Sequence, residues 1–309
     1  MSSIALCIPA YNAQNCLGDL LESALKQDIL FDEILVYDDC SVDNTREIAL
    51  KFGVTILQGK TNQGCSFGKN ELAKASKSDW LHFHDADDLL LPNFTNEMHR
   101  WIDNESANFD VLVLNFEYRE FINKKLLGTA NHNKILLSEN PLKYVISNKI
   151  VNFGLYRRNS FLAAGGFDLD PNVLYNEDNA FHINLAKNGL RFDYLSTITC
   201  INYRHEQSMS NSNELKCAMA NFHVLEKIAK SHGSLYPVEI SDQLWSCISS
   251  LSVFENWVYI KKALALSKSL GFPNSTNGNR LFNFLTKINP FFSVWLREKT
   301  IRIFKPNLR

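Results

Sequence analysis

Asp85, Asp87 and Asp88 stand together in His84-Asp85-Ala86-Asp87-Asp88, directly after Trp80-Leu81-His82-Phe83 and before Leu89-Leu90-Leu91-Pro92. Three carboxylates at the end of a buried strand repel one another and lose hydration. A cation among them relieves both penalties. If the backbone stays extended, Asp85 and Asp87 point to the same side. Hard carboxylate oxygens in that pattern suit Mg²⁺ or Mn²⁺, ions that commonly also hold a phosphate. The same residues also read as an acidic strand-to-helix turn in which Asp88 caps a helix starting near Leu91. Glu177 and Asp178 form a second acidic pair, in the first turn of an expected helix. Favourable charge–dipole placement is one reading, worth a few tenths to ~1 kcal/mol. The other is that the dipole keeps Asp178 ionised and aimed out of the helix start, as a proton acceptor.

The elements that must position these groups follow from apolar periodicity. Ile4-Ala5-Leu6-Cys7-Ile8 is a continuous apolar run, expected as a doubly covered strand that Pro9 ends. Leu17, Leu20, Leu21, Ala24 and Leu25 recur at helical spacing. Glu33 to Tyr37 and Val54 to Leu57 read as strands, with a helix from Arg46 to Lys51 between them that Ser41 or Asp43 can cap. A helix opened by Asn62-Gln63-Gly64 leads to the strand before Asp85. Alternation of strand and helix implies an α/β fold with parallel pairs and right-handed crossovers. Polar residues then gather where strands end: Tyr11 offers a flat face for a base, Asp39 an acceptor for a base N–H, and Lys69 a cation for phosphate. Each alone also reads as a packed ring, a helix cap and a solvated lysine.

Composition excludes several classes. The 309 residues are 45% hydrophobic and 21% charged, with formal net charge −1. That is globular, and no global field favours nucleic acid. Seven cysteines lack Cys-x-x-Cys spacing and read as reduced thiols of a cytoplasmic protein. No signal peptide and no membrane-spanning segment is expected.

In order along the chain come Ile8-Pro9-Ala10-Tyr11-Asn12, Glu33 to Asp39 with Ser41 and Asp43-Asn44-Thr45, Asn62-Gln63-Gly64, Lys69-Asn70-Glu71, Asp85-Ala86-Asp87-Asp88, Gly165-Gly166-Phe167-Asp168, Glu177-Asp178 and Tyr203-Arg204-His205-Glu206-Gln207-Ser208. Over the first two-thirds of the chain this series resembles family-two glycosyltransferases with the glycosyltransferase-A fold. The resemblance implies a mostly parallel, Rossmann-like sheet in a catalytic domain over 1–210, divided into a nucleotide-binding half (1–105) and an acceptor-side half (106–210), followed by a helical region over 211–309. It implies a UDP-sugar donor, Mn²⁺ or Mg²⁺ as cofactor, and a glycan or lipid-linked glycan acceptor, as in assembly of bacterial lipopolysaccharide, O-antigen or capsule. Pro9 and Tyr11 would line the base site, with Asn12 beside them, and Asp39 would bond the uracil N–H. Asp85, Asp87 and His205 would meet the metal, with Ala86 and Lys69 at the nucleotide and Asp88 in support. Asp178 would be the general base of an inverting displacement. Lys69 stands where relatives carry Arg, and Cys40 where Gly is usual. No Gln-x-x-Arg-Trp follows Tyr203, which argues against a processive polymerase. The same features leave open a nucleotide-sugar-binding protein without transfer activity, or a nucleotide-sugar hydrolase.

Glu206 to Glu214 reads either as a loop that orders over the nucleotide or as a linker. Beyond it the pattern is helical. Its last stretch, Arg280 to Arg309, mixes Phe282, Phe284, Phe291, Phe292, Trp295 and Phe304 with basic residues. Two readings stand: a helix packed on the catalytic domain or in a homodimer contact, and a peripheral contact with the inner face of an anionic membrane.

Overall fold

Strands β1 (Ile4–Ala10), β2 (Glu33–Asp38), β3 (Thr55–Gln58) and β4 (Trp80–Phe83) pair in parallel in the order β3-β2-β1-β4. β1 lies between two neighbours and is buried along its whole length, as its unbroken apolar run requires. The computed structural model describes residues 2–205, 212–272, 278–305 and 307. Pro9 does not end β1, contrary to expectation. It pairs with Tyr37, and the strand runs on to Ala10. The backbone of Cys7 faces β4, where its carbonyl accepts from His84, whereas Ala10 faces β2 and accepts from Asp39. By alternation Pro9 faces β4, and that ladder stops at the Cys7–Phe83 pair. Its missing N–H therefore costs no sheet hydrogen bond.

The second half of the sheet adds β5 (Leu89–Leu90), β6 (Val111–Glu120), β7 (Leu126–Thr129), β8 (Gly154–Arg157) and β9 (Phe192–Arg204). The full order is β3-β2-β1-β4-β8-β6-β9-β5, with β7 on β6. β8 joins β4 and β6 antiparallel, while the long β6–β9 pair is parallel. The sequence pattern suggests two strands over Arg191–Leu195 and Thr199–Tyr203. The structure has one, β9, whose irregularity is taken up by register shifts between Leu114 and Phe116.

Helices cover this sheet through apolar faces. Leu17–Leu25 buries Leu17, Leu20, Leu21 and Ala24. Phe94–Glu105 buries Phe94, Met98, Trp101 and Ile102. Beside β4 an aromatic cluster forms in which Phe83 meets Tyr156, Phe161, Phe167 and Phe181 at ring distances of 5.8, 5.2, 5.4 and 6.5 Å. All seven cysteines are free.

The chain forms two compact units. One is Met1–Leu142 with Ile150–Leu169 and Ala180–Ser208; the other is Lys143–Lys149 with Asp170–Asn179 and Met209–Arg309. The second unit carries helices Glu214–His232, Pro237–Val253, Trp257–Ser269, Arg280–Ile288 and Pro290–Phe304. Phe222, Leu225 and Ile228 and then Leu244, Ile248 and Leu251 line their inner faces, as their spacing predicts. No helix is long and apolar enough to cross a membrane among the described residues. The 206–211 part of the polar stretch and residues 273–277 lie outside the described residues.

Phe83 is fully buried and central to the aromatic cluster. Phe83→Ala is expected to lower unfolding free energy by about 3–5 kcal/mol, measured by urea denaturation. A loss below ~1 kcal/mol would show that the cluster collapses around the cavity.

Candidate active site

The acidic segment is not extended. Asp88 N–H donates to Asp85 O at 3.2 Å, closing a turn, and the chain then enters β5. Alternation along an extended backbone therefore does not govern Asp85 and Asp87. Asp88 is not a helix cap either, because the next helix starts at Phe94. Its carboxylate is buried and accepts from Tyr203 N–H at 2.7 Å and Asn202 Nδ2 at 2.8 Å, tying the turn to β9. Burial first, then the charges of Asp87 and Asp85, push its pKa well above the usual carboxylate range. Burial and Asp85 also raise that of Asp87. Yet 46% of the Asp85 side chain and 49% of the Asp87 side chain remain exposed, so both can meet a ligand.

Two cationic or coordinating groups face these carboxylates. The Lys69 amine lies 2.9 Å from Asp85 Oδ1, and its side chain is only 1% exposed. It is not a solvated lysine; its charge is committed to Asp85 and it also lies 5.4 Å from the centre of the Phe167 ring. His205 Nε2 lies 3.5 Å from Asp87 Oδ2, and its ring packs on Phe121 at 4.2 Å. Two half-exposed carboxylates and one imidazole form a donor set that fits a divalent cation. The imidazole suits Mn²⁺ better than Mg²⁺, which prefers oxygen alone.

The other rim residues are placed by loop clasps. Pro9 is buried in β1, and Tyr11 stands 52% exposed just beyond it. Asn12 takes φ 51°, accepts from Val42 N–H through its side chain and donates its own N–H to Ser41 Oγ. Asp39 is buried, and its two oxygens accept from Gln63 N–H at 2.9 Å and Gly64 N–H at 2.7 Å. Each oxygen keeps a second lone pair. Cys40 sits at φ 65°, in the left-handed region that glycine adopts most readily. Ala86 is buried within the turn.

Sequence reasoning missed two features. Asn70 clasps the Gly-Gly-Phe-Asp turn: its Nδ2 donates to Phe167 O at 3.0 Å, and its Oδ1 accepts from Phe167 N–H at 2.9 Å. Gly166 has φ 69°, and a Cβ there would sit 2.3 Å from Asn70 Oδ1, so no other residue fits. His82 and His84 form the second. His82 Nδ1 lies 2.8 Å from Gly154 O, and its Nε2 lies 2.9 Å from His84 Nδ1. Burial lowers the His82 pKa to about 4, so the ring is neutral. A carbonyl only accepts, so the His82 proton is on Nδ1 and His84 must donate from its own Nδ1. The signal was present: residues two apart at a strand end share a face.

Asp178 is half-buried in the first turn of the helix Glu177–Lys187, with Glu177 before it. That turn belongs with the second unit, in the segment Asp170–Asn179. The segment is fastened to the helix Glu214–His232 by Lys227 on Asp170 at 2.7 Å and Asn176 on Asn221 at 3.1 Å. A cavity of about 320 Å³ reaches Asp87 and Asp88 and is lined also by Asp19, Phe121, Lys124 and Tyr203. Pro9, Tyr11 and Asp39 do not line it.

Comparison with protein families matches residues 5–163 to Glycosyl transferase family 2. The chain belongs to this family. As a family-2 member it is similar to an Escherichia coli UDP-Glc:alpha-D-GlcNAc-diphosphoundecaprenol beta-1,3-glucosyltransferase, 32% identical over 93 residues, 29% of this chain and 37% of that protein. The chain spans only 37, 35 and 37% of the lengths of three curated relatives it matches. Staphylococcus aureus TarS 1-349 in complex with UDP-GlcNAc superposes with TM-score 0.67 at 18% identity, over 97% of this chain and 91% of that one. A mannosyltransferase from Pyrobaculum calidifontis in complex with GDP-Man and Mn²⁺ gives TM-score 0.61 at 13% identity, over 99% and 81%. These likenesses establish the glycosyltransferase-A fold.

The raised pKa values of Asp87 and Asp88 fix a sign. Between the ordinary carboxylate range and the raised values, the folded chain binds more protons than the unfolded one, so stability falls as pH rises through that window. In EDTA the melting temperature is expected to fall with pH above the ordinary carboxylate range, and Mn²⁺ should cancel the fall. Asp87→Asn should flatten the profile. Scanning fluorimetry measures both; an Asp87→Asn profile as steep as the wild type would contradict the assignment.

Proposed function

We propose that this family-2 glycosyltransferase is an inverting, metal-dependent enzyme that moves a sugar from a UDP-sugar to an acceptor hydroxyl of a bacterial surface glycan. The observation that carries the metal site is the pairing of Asp87 with His205 at 3.5 Å, beside an Asp85 neutralised by Lys69 at 2.9 Å. Asp85, Asp87 and His205 would hold Mn²⁺ or Mg²⁺, which when bound supplies Lewis-acid neutralisation of the departing diphosphate. His205 would offer it a ring nitrogen, which ligates only when unprotonated. Asp88 holds the turn against β9 so that its two neighbours stay at the surface.

Tyr11 offers its exposed ring to the uracil, just beyond Pro9 at the end of β1, with Asn12 fixing the loop. Asp39 uses a free lone pair for the base N–H and keeps Gln63-Gly64 in place. Support for UDP comes from the relatives, whose names carry UDP-Glc and UDP-GlcNAc. A diphosphoundecaprenol-linked acceptor, named for the E. coli relative, is the model for a lipid-linked acceptor here.

Asp178 takes the acceptor proton. An ordinary Asp has pKa near ~3.9 and is a weak base, but the hydroxyl acidifies as the new bond forms, so position counts more than basicity. One in-line displacement inverts the anomeric centre. Asp178→Asn is expected to lower transfer by about 10³-fold or more while UDP-sugar affinity stays within about threefold. The measurement is UDP release from a UDP-sugar panel with Mn²⁺, with and without acceptor. Release independent of acceptor would mean hydrolysis, and binding without release would mean a non-transferring receptor; either overturns the proposal.

A further inference from the structure

The last two helices are anchored on one side and open on the other. From Arg280–Ile288, Phe282 is buried against Trp245, at a ring distance of 6.5 Å. From Pro290–Phe304, Val294 and Glu298 are buried, Arg297 donates to Ser249 at 2.9 Å and Arg302 pairs with Glu298 at 3.0 Å. Both helices thus spend their inner faces on the helix Pro237–Val253. The sequence predicts this packing on the catalytic domain; the structure puts it on a helix of the second unit instead.

Their outer faces are apolar and uncovered. Leu281, Phe284 and Ile288 are 66, 60 and 69% exposed and lie at i, i+3 and i+7, one stripe of a helix. On the next helix Phe292, Trp295, Leu296 and Ile303 are exposed, with the Phe292 and Trp295 rings stacked at 5.7 Å. Basic residues edge these stripes: Arg280, Lys287 and Lys305 are exposed. Residues 280–309 hold seven Lys or Arg and one acid, Glu298, for a net +6. The whole chain is −1, so residues 1–279 carry −7. A tenth of the chain carries this surplus; Arg297, Lys299 and Arg302 are engaged by Ser249, Glu255 and Glu298, and Arg280, Lys287 and Lys305 stand exposed beside the aromatic rings.

We infer that this face lies on an anionic lipid surface, its aromatic and aliphatic side chains entering the interface while its basic residues meet the head groups. The occupant is set by charge and polarity together. A second copy docking symmetrically would set the exposed Arg280, Lys287 and Lys305 against their own like-charged copies. A nucleic acid would meet the charge but leave the apolar stripe without a partner. The inference stands apart from the transfer reaction, so either can fail alone.

The test uses the full chain with vesicles of phosphatidylglycerol and phosphatidylethanolamine, against vesicles of phosphatidylcholine alone. Flotation is expected with the first and not the second, and added salt should release the protein. The triple variant Leu281→Ser, Phe284→Ser, Ile288→Ser alters exposed positions and should keep the wild-type melting curve. Its bound fraction should fall roughly tenfold. No flotation overturns the inference, as does flotation that the triple variant leaves unchanged. A dimer seen by light scattering and lost in the triple variant, without vesicle binding, overturns it in favour of self-association.

Discussion

Repulsion among Asp85, Asp87 and Asp88 at the end of β4 is the constraint around which the first unit is built. Asp88 gives up its solvent and is held by two donors from β9. Asp85 is neutralised by a lysine that is itself buried. Asp87 is left with His205 and open solvent. Lys69 is buried and would be stranded without Asp85, whereas Asp85, half-exposed, could turn to solvent. What remains uncompensated is at the surface, where a divalent ion and a diphosphate can reach it.

The sheet delivers this arrangement from distant parts of the sequence. β1 and β2 bring the Tyr11 and Asp39 loops to the rim, β4 brings the acidic turn, and β9 returns to supply Asn202, Tyr203 and His205. The helix that carries Lys69 also carries Asn70, which clasps Phe167 and leaves room only for glycine at 166. Lys69-Asn70 and Gly165-Gly166-Phe167-Asp168 are therefore two sides of one contact.

Much of this was legible in the sequence because it is local. The apolar run of Ile4–Ile8, the helical spacing of Leu17–Leu25 and the turn chemistry near Gly64 depend on neighbours in the chain. The ordered motifs were enough to indicate the family and the fold. What was not legible depends on the partner strand. Pro9 reads as a strand end unless one knows that its ladder on the β4 side has already stopped. Asp88 reads as a cap unless β9 is known to present Tyr203 N–H. Lys69 reads as a solvated cation because burial of a lysine is decided by what lies over it, here Asp85 and Phe167. The His82–His84 pair follows from strand alternation, but the carbonyl of Gly154 that sets its proton comes from β8.

The central claim is that Asp87, beside the Lys69-paired Asp85, holds a divalent cation and, through it, the donor diphosphate. Calorimetric titration of UDP into the full chain, in Mn²⁺ and in EDTA, tests it most directly. UDP should bind at least about tenfold more tightly with Mn²⁺, and Asp87→Ala should remove that difference. Equal UDP affinity in EDTA and Mn²⁺, or an Asp87→Ala variant that keeps the difference, would contradict it.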